Sequence, residues 1–347
     1  MCTLGCVAAS HADQTNKETA LQITSTAENS TKDWTAAYAY IEDIHDGRGY
    51  TGGLVGFTTA TSDMLQLVRQ YVAEQPGSTL APYLPGLEAC ADRGETVDNA
   101  DYGTYGGGAS DIAARRLGPP FLAAWADAAN HDPVFRKVQR DLRDAMYWEP
   151  ALAAAAADGV GLLGLALYYD TAVNHGPGVA DSGDGSFDDI RSRTIGATPA
   201  RHGSESTWLR AWLSCRIAVL TEWGDNPPDG RIALFRELLA TGNLTLTTPF
   251  TWSVYGDTFT LSAPPSPPPD LVRRPMPAHP AGADEVPVPV PVAGAPRGAP
   301  RAARKDRAGD SRAVATDGGF CTCSGTRGCT CVAQVGSTRW RDVDDGQ

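Results

Sequence analysis

At 347 residues, 42% hydrophobic and 20% charged, the chain is long enough to bury one large core or two modest ones. Its formal net charge of −12 is uneven: from residue 263 onward eleven Lys and Arg stand against nine Asp and Glu, which leaves 18 basic and 32 acidic residues before that point. So acidic a body argues against nucleic acid, whose binders carry basic patches, and suits either a polycationic ligand or simple solubility.

Along the chain, Met1-Cys2-Thr3-Leu4-Gly5-Cys6 carries neither a basic nor an apolar stretch, so no signal peptide is legible and residues 1–12 read as an extension. Ala20, Leu21, Ile23 and Ala27 fall near helical spacing and predict a helix over Lys17 to Asn29, with Glu28 at its end. Tyr38, Tyr40 and Ile44 suggest a short strand entering a glycine-rich turn, and Leu54 to Thr58 a strand leaving it. Ser62-Asp63 is placed to cap a helix whose apolar stripe is Met64, Leu65, Leu67, Val68, Tyr71 and Val72. Helices are expected over Pro120 to Ala129, Asp132 to Tyr147, Pro150 to Asn174, Ser204 to Trp223 and Gly230 to Ala240, then short strands to Leu261. Pro133 and Pro150 stand where a first helical turn accepts proline. The most apolar run, Gly159 to Ala172, contains Asp170 and is too short for a membrane span, so it reads as a core helix. The fold class is mostly α (α+β), with one small antiparallel β-sheet beside the acids.

Composition breaks after residue 262. Thirteen of the 25 prolines fall in residues 264–300, which cannot join ladders or helices, so residues 263–312 read as an extended linker after a body over 13–262. The tail, 313–347, holds Cys321, Cys323, Cys329 and Cys331. Disulfides, a metal and no defined role all remain open for it, since C-x-C is not the usual zinc spacing. Cys90 and Cys215 read as lone buried thiols.

Glu28 and Asp46, with seventeen residues between them, flank the glycine-laced turn. Two acids facing across a groove suit cleavage of a sugar chain, one protonating the leaving oxygen and the other activating water. By spacing alone the pair is weak, since 41 acids make many such pairs. The surrounding blocks say more: Ala27-Glu28-Asn29-Ser30, Tyr40-Ile41-Glu42-Asp43-Ile44, Asp46-Gly47-Arg48-Gly49-Tyr50-Thr51-Gly52-Gly53, Gly56-Phe57-Thr58, Thr61-Ser62-Asp63-Met64, Tyr168-Tyr169-Asp170 and His175-Gly176-Pro177-Gly178, ending near Ala240-Thr241-Gly242-Asn243-Leu244 and Tyr255-Gly256-Asp257. In that order they resemble glycoside hydrolase family 46, the chitosanases. Two departures stand out: Asp98 to Leu117 is longer than expected, and Trp223-Gly224-Asp225-Asn226 stands where the family often has a His after the position of Glu222.

The resemblance implies a two-lobed, lysozyme-like architecture and inverting endo-hydrolysis of β-1,4 bonds in chitosan, without a cofactor or metal. It casts Glu28 as general acid, Asp46 as general base and Thr51 as the hydroxyl that holds the attacking water. Tyr40, Arg48, Thr61, Asp63, Gly176 and Pro177 fall on sugar-binding positions. Asp170, Arg216 and Arg231 would form an ion network behind the acid. On the residues alone, Arg48 serves either a sugar hydroxyl or the turn itself, and Asp63 either a glucosamine amine or the helix start. An Asp in the apolar run Leu162 to Val173 is costly unless paired, so the network either orients Glu28 or only holds the lobes together. Asp170→Asn is expected to lower turnover far more than folding. Glu28 is expected in a partly closed part of the cleft and Asp46 in a wetter one. The implied partners are chitosan and glucosamine oligosaccharides, the chain itself is expected to be a monomer, and the location is extracellular because such polymers lie in cell walls. A lysozyme- or chitinase-like hydrolase of N-acetylated chains and a non-catalytic polysaccharide-binding protein are the alternatives.

Overall fold

The computed structural model describes residues 11–45, 47–94, 108–178, 180, 182–197, 204–224, 230–268, 319–323 and 329–333. The chain opens with α1 (His11–Asn29), whose residues Glu18 to Leu21 and Ile23 to Ala27 are all buried. A 3-10 segment, Trp34–Ala39, follows and takes in Tyr38, so the entering strand is shorter than the sequence suggested: β1 is Ile41–Asp43. The expected leaving strand divides into β2 (Tyr50–Gly52) and β3 (Phe57–Thr58), giving an antiparallel meander in the order β1-β2-β3. Glu42 opposes Thr51, and Thr51 opposes Thr58.

The rest of the body is helical: α2 (Asp63–Glu74), α3 (Leu84–Gly94), α4 (Gly108–Arg116), α5 (Gly118–His131), α6 (Pro133–Arg143), a π-helical turn over Asp144–Trp148, α7 (Glu149–Asp158), α8 (Leu162–His175), α9 (Phe187–Ala197), α10 (Glu205–Glu222) and α11 (Arg231–Ala240). Pro133 and Pro150 occupy first helical turns, as expected. The segment read as one helix from Pro150 to Asn174 is two, because Gly159 takes a left-handed conformation at φ 69° and closes α7 before α8 begins. Ser62 caps α2 without its side chain; the Asp63 carboxylate begins the helix instead. At α10 the cap is conventional, Ser204 Oγ accepting from Thr207 N at 3.3 Å.

α8 is the axis of the core. Every residue from Leu163 to His175 is buried, with α1, α7, α9 and α11 packed around it. A hairpin of β4 (Phe250–Val254) and β5 (Asp257–Leu261) closes the body over the end of α1. There Trp252 Nε1 donates to Thr26 Oγ1 at 3.0 Å and Lys32 Nζ donates to the Thr260 carbonyl at 2.6 Å. Cys90 and Cys215 are free buried thiols, and burial pushes Cys90 up to about 11. No helix among the described residues is long and apolar enough to cross a membrane. Most of the proline-rich linker lies outside the described residues, while the tail, given no structure from sequence, contributes an antiparallel hairpin of β6 (Gly319–Cys323) and β7 (Cys329–Ala333).

Candidate active site

Glu28 stands in the last turn of α1, where the helix dipole presents its negative end, so an anion there is stabilised by a cation from elsewhere. Arg231, the first residue of α11, supplies it: its Nη2 donates to Glu28 Oε1. Glu28 keeps 28% side-chain exposure, matching the expected partly closed setting, and Oε2 makes no hydrogen bond among the described residues.

Behind Arg231 the charges alternate. Arg231 Nη1 donates to Asp170 Oδ1 at 2.7 Å, and Arg216 Nη1 donates to Asp170 Oδ2 at 2.8 Å. Asp170 and Arg216 are both fully buried, so the lone Asp of the apolar run is paired as its position requires. The guanidinium of Arg216 also donates to Asn174 Oδ1 at 2.9 Å and, through Nε, to His175 Nε2 at 3.1 Å. The other ring nitrogen of His175 donates to the Gly185 carbonyl at 2.9 Å, which fixes a neutral tautomer. Burial and the neighbouring Arg216 hold His175 well below its ordinary value. For Arg231 burial works the other way from its partners, but Asp170 and Glu28 outweigh it and leave the guanidinium more firmly protonated. The three network residues named from sequence therefore stand together with Glu28; Asn174 and His175 extend the chain.

A recess beside Glu28 is lined by Ser25, Trp34, Leu54, Val55, Arg143 and Tyr169 among others. Arg143 is buried, stacks its guanidinium 4.9 Å from the Trp34 ring centre and donates to Asp144 Oδ1 at 2.7 Å through Nη2, while Lys17 holds Asp144 Oδ2 at 2.6 Å. Nothing in the local sequence marks Arg143, and Tyr169 stood only inside the Tyr168-Tyr169-Asp170 block, because their relation to Glu28 arises only when α1, α6 and α8 pack. Leu54 and Val55 bring the glycine turn of the sheet to the same recess. Gln139, fully buried, fixes that turn: it donates to the Tyr38 carbonyl at 3.1 Å and accepts from Leu54 N at 3.2 Å. Gly53 is glycine because a Cβ would meet Gln139 Oε1 at 2.6 Å, so this close approach serves packing rather than a ligand.

On the sheet side, Thr51 is 7% exposed and its Oγ1 has no hydrogen-bond partner among the described residues. Arg48 is 5% exposed, and its carbonyl accepts from Thr59 Oγ1 and Ala60 N at 3.1 Å. Asp63, 6% exposed, uses Oδ1 to accept from Thr58 N at 2.7 Å, Met64 N at 2.9 Å and Thr61 Oγ1 at 2.9 Å. It ties β3 to α2, and Thr61 is part of the same knot. Tyr40 is 40% exposed, with its hydroxyl donating to Glu42 Oε1 at 2.6 Å. Gly176 and Pro177 follow α8; their carbonyls accept from Phe187 N at 2.9 Å and Asp188 N at 3.1 Å. Asp46 lies outside the described residues, as do Asp225 and Asn226.

A second residue of the site was quoted from sequence only as part of a motif. Tyr255, at the tip of the β4–β5 hairpin, is the most exposed large hydrophobic side chain among the described residues at 56%. Its ring lies against Gly230, immediately before Arg231: a Cβ on Gly230 would sit 2.3 Å from Tyr255 Cε1. Burial raises its hydroxyl, Arg231 opposes, and Asp170 and Glu28 add to the rise, which puts Tyr255 within electrostatic reach of the acid.

The sequence model of glycosyl hydrolase family 46 matches residues 22–250. A chitosanase of Streptomyces sp. (strain N174) is 42% identical over 254 residues, covering 72% of this chain and 84% of its own. A chitosanase of Bacillus subtilis (strain 168) is 32% identical over 247 residues, covering 67% and 80%. Among solved structures, a chitosanase described as co-crystallised with substrate shares 41% identity at a TM-score of 0.58, over 71% of this chain and 95% of that one. The Gynuella sunshinyii chitosanase in complex with chitotetraose shares 32% at a TM-score of 0.58, over 74% and 99%.

Proposed function

The chain belongs to glycosyl hydrolase family 46 and is a glycoside hydrolase, and from that premise we propose that it cleaves the β-1,4 bonds of chitosan from within the chain, with inversion at the anomeric carbon. The observation that carries the residue assignment is the hold on Glu28: one carboxyl oxygen is engaged by Arg231, while the other is left to face a glycosidic oxygen. Glu28 donates its proton to the leaving group through Oε2. Asp46 takes a proton from the attacking water, and Thr51 orients that water with a hydroxyl that no described residue engages. In an inverting enzyme the two carboxyls stand roughly 6.5–9.5 Å apart, enough for a water between them.

Arg231, Asp170 and Arg216 position Glu28 rather than react. Both terminal nitrogens of Arg231 are engaged, one by Asp170 and one by Glu28, and only its buried Nε lacks a hydrogen-bond partner among the described residues, so the acid is presented from one fixed geometry. Asp63 and Tyr255 supply the sugar contacts best supported by the fold: a buried carboxylate for a glucosamine amine and an exposed ring for a pyranose face. The acidic body draws in a polycation, and the substrate places the enzyme outside the cell.

The test is incubation with chitosan and with fully acetylated chitin, following oligosaccharide release. Chitosan is cut and chitin is not; preferential release from chitin would move the reading to a lysozyme- or chitinase-like hydrolase, and no release from either would leave a binding protein. Rising salt weakens chitosan binding, since exposed charges are screened beyond about 8 Å at physiological ionic strength.

A further inference from the structure

Beyond the catalytic body the chain carries one cluster of reactive residues that the hydrolase does not use. In the tail hairpin, β6 and β7 pair antiparallel with Cys321 opposite Cys331 and Cys323 opposite Cys329. A strand alternates its residues between two faces, so the four cysteines occupy one face of the hairpin. Phe320 opposite Val332 and Thr322 opposite Thr330 occupy the other.

We propose that this face is a double disulfide site, with Cys321 bonded to Cys331 and Cys323 to Cys329 as two adjacent rungs across the hairpin. Directly opposed residues in an antiparallel pair have Cα atoms about 4.5–5.5 Å apart, inside the roughly 4.4–6.8 Å that a disulfide spans. Cysteines two apart on one strand are about 6.8 Å apart, at the limit of that range. Diagonal partners lie farther still, at about 7–8 Å. Register thus selects one connectivity of the three that four cysteines allow. The two opposed pairs are also two residues apart along each strand, so they share one hydrogen-bonding class, and geometry that closes one rung closes the other. A tetrathiolate metal site is disfavoured on the same ground. It needs ligands converging on a tetrahedron from C-x₂₋₄-C bends, whereas strand-borne C-x-C pairs set four Cα atoms at the corners of a near-flat rectangle.

The rungs also answer a stability problem. A two-stranded hairpin is marginal in water by itself, and although β7 lies beside α9 and α10, covalent rungs hold the strand pairing without relying on that contact. The oxidant is a small-molecule disulfide of the glutathione class. For each rung, one cysteine thiolate attacks that disulfide and displaces one thiol, then the opposed thiolate displaces the second. Two electrons and two protons leave with the two released thiols.

The sequence provides a clean assay. Arg327 falls between the two strands, so trypsin separates Ala313–Arg327 from Gly328–Arg339 unless bonds join them. The full-length protein is equilibrated with oxidised and reduced glutathione, denatured, alkylated without reduction, digested and weighed. The proposal expects one joined species, four hydrogens lighter than the sum of the two peptides and free of alkyl groups. Cys331→Ser should still give joined peptides, now with Cys321 alkylated and Cys323–Cys329 intact. Separate peptides, whether alkylated on every cysteine or each two hydrogens lighter, would overturn it. So would diagonal bonds on partial reduction, or zinc retained in the native mass. The readout does not depend on chitosan being the substrate.

Discussion

The helical side of the site and its sheet side differ in how much of their polar chemistry is already committed. Around α8, Asp170, Arg216, Asn174, His175 and Arg231 hold one another in a closed row that ends on Glu28. Across from them, β2 offers a buried Thr51 hydroxyl without a partner among the described residues, and the rim offers the exposed rings of Tyr40 and Tyr255. The first arrangement fixes a geometry and the second leaves capacity for something that is not protein. Substitutions on the two sides should therefore fail in different ways.

The largest effect is expected in the closed row. Asp170→Asn removes an anion buried between two arginines and should cost about 3–5 kcal/mol of stability, the usual result of leaving buried charge uncompensated. Complete burial thus adds a folding loss to the loss of turnover expected from sequence. Denaturant unfolding checks it, and a variant as stable as the parent would break the contrast. Thr51→Val should do the reverse. It removes a hydroxyl that satisfies nothing among the described residues, so stability is kept or slightly raised, while kcat falls about tenfold for one lost hydrogen bond to water. A marked drop in melting temperature with unchanged kcat would make Thr51 structural.

His175 sharpens the comparison through pH. Folded, it is held neutral between Arg216 and the Gly185 carbonyl; unfolded, it takes up a proton below about 6.5. The unfolded state binds more protons there, so this contribution is present above that pH and is lost as pH falls, by at most about 1.4 kcal/mol per pH unit. His175→Gln should flatten the acid side of the stability profile; an unchanged slope would assign it to other groups. The smallest effect belongs to the rim. Tyr255→Ala should raise KM several-fold with little change in kcat, and Tyr255→Phe should restore most of it, an aromatic contact being worth about 0.5–1.5 kcal/mol. A change in kcat alone would mean that Tyr255 acts through Gly230 and Arg231 instead.

What the sequence disclosed follows the same division. The helix that carries Glu28 was legible because Ala20, Leu21, Ile23 and Ala27 repeat at helical spacing, and these positions are buried. The sheet was placed but misdrawn: strands of two and three residues are too short to display an alternating pattern. α4 and α9 went unnoticed for want of a clear apolar stripe, α9 beginning with two acids and carrying two arginines, whereas α3 was missed although Leu84, Leu87, Cys90 and Ala91 recur at helical spacing. The Asp170 network was named through family resemblance, with the cost of an unpaired Asp in an apolar run as its physical support. Arg143 had no local signal at all, and Tyr169 and Tyr255 stood only inside quoted blocks without a role, because all three reach the site across long stretches of chain.

The central claim is that Glu28 protonates the leaving sugar while a water attacks from the opposite face. Proton NMR during the first minutes of chitosan digestion tests it most directly. The account predicts that the newly formed reducing ends appear first as the α-anomer, and that Glu28→Gln lowers their rate of appearance by about 10²–10⁴-fold in a folded protein. First appearance of the β-anomer, or release undiminished in Glu28→Gln, would contradict it.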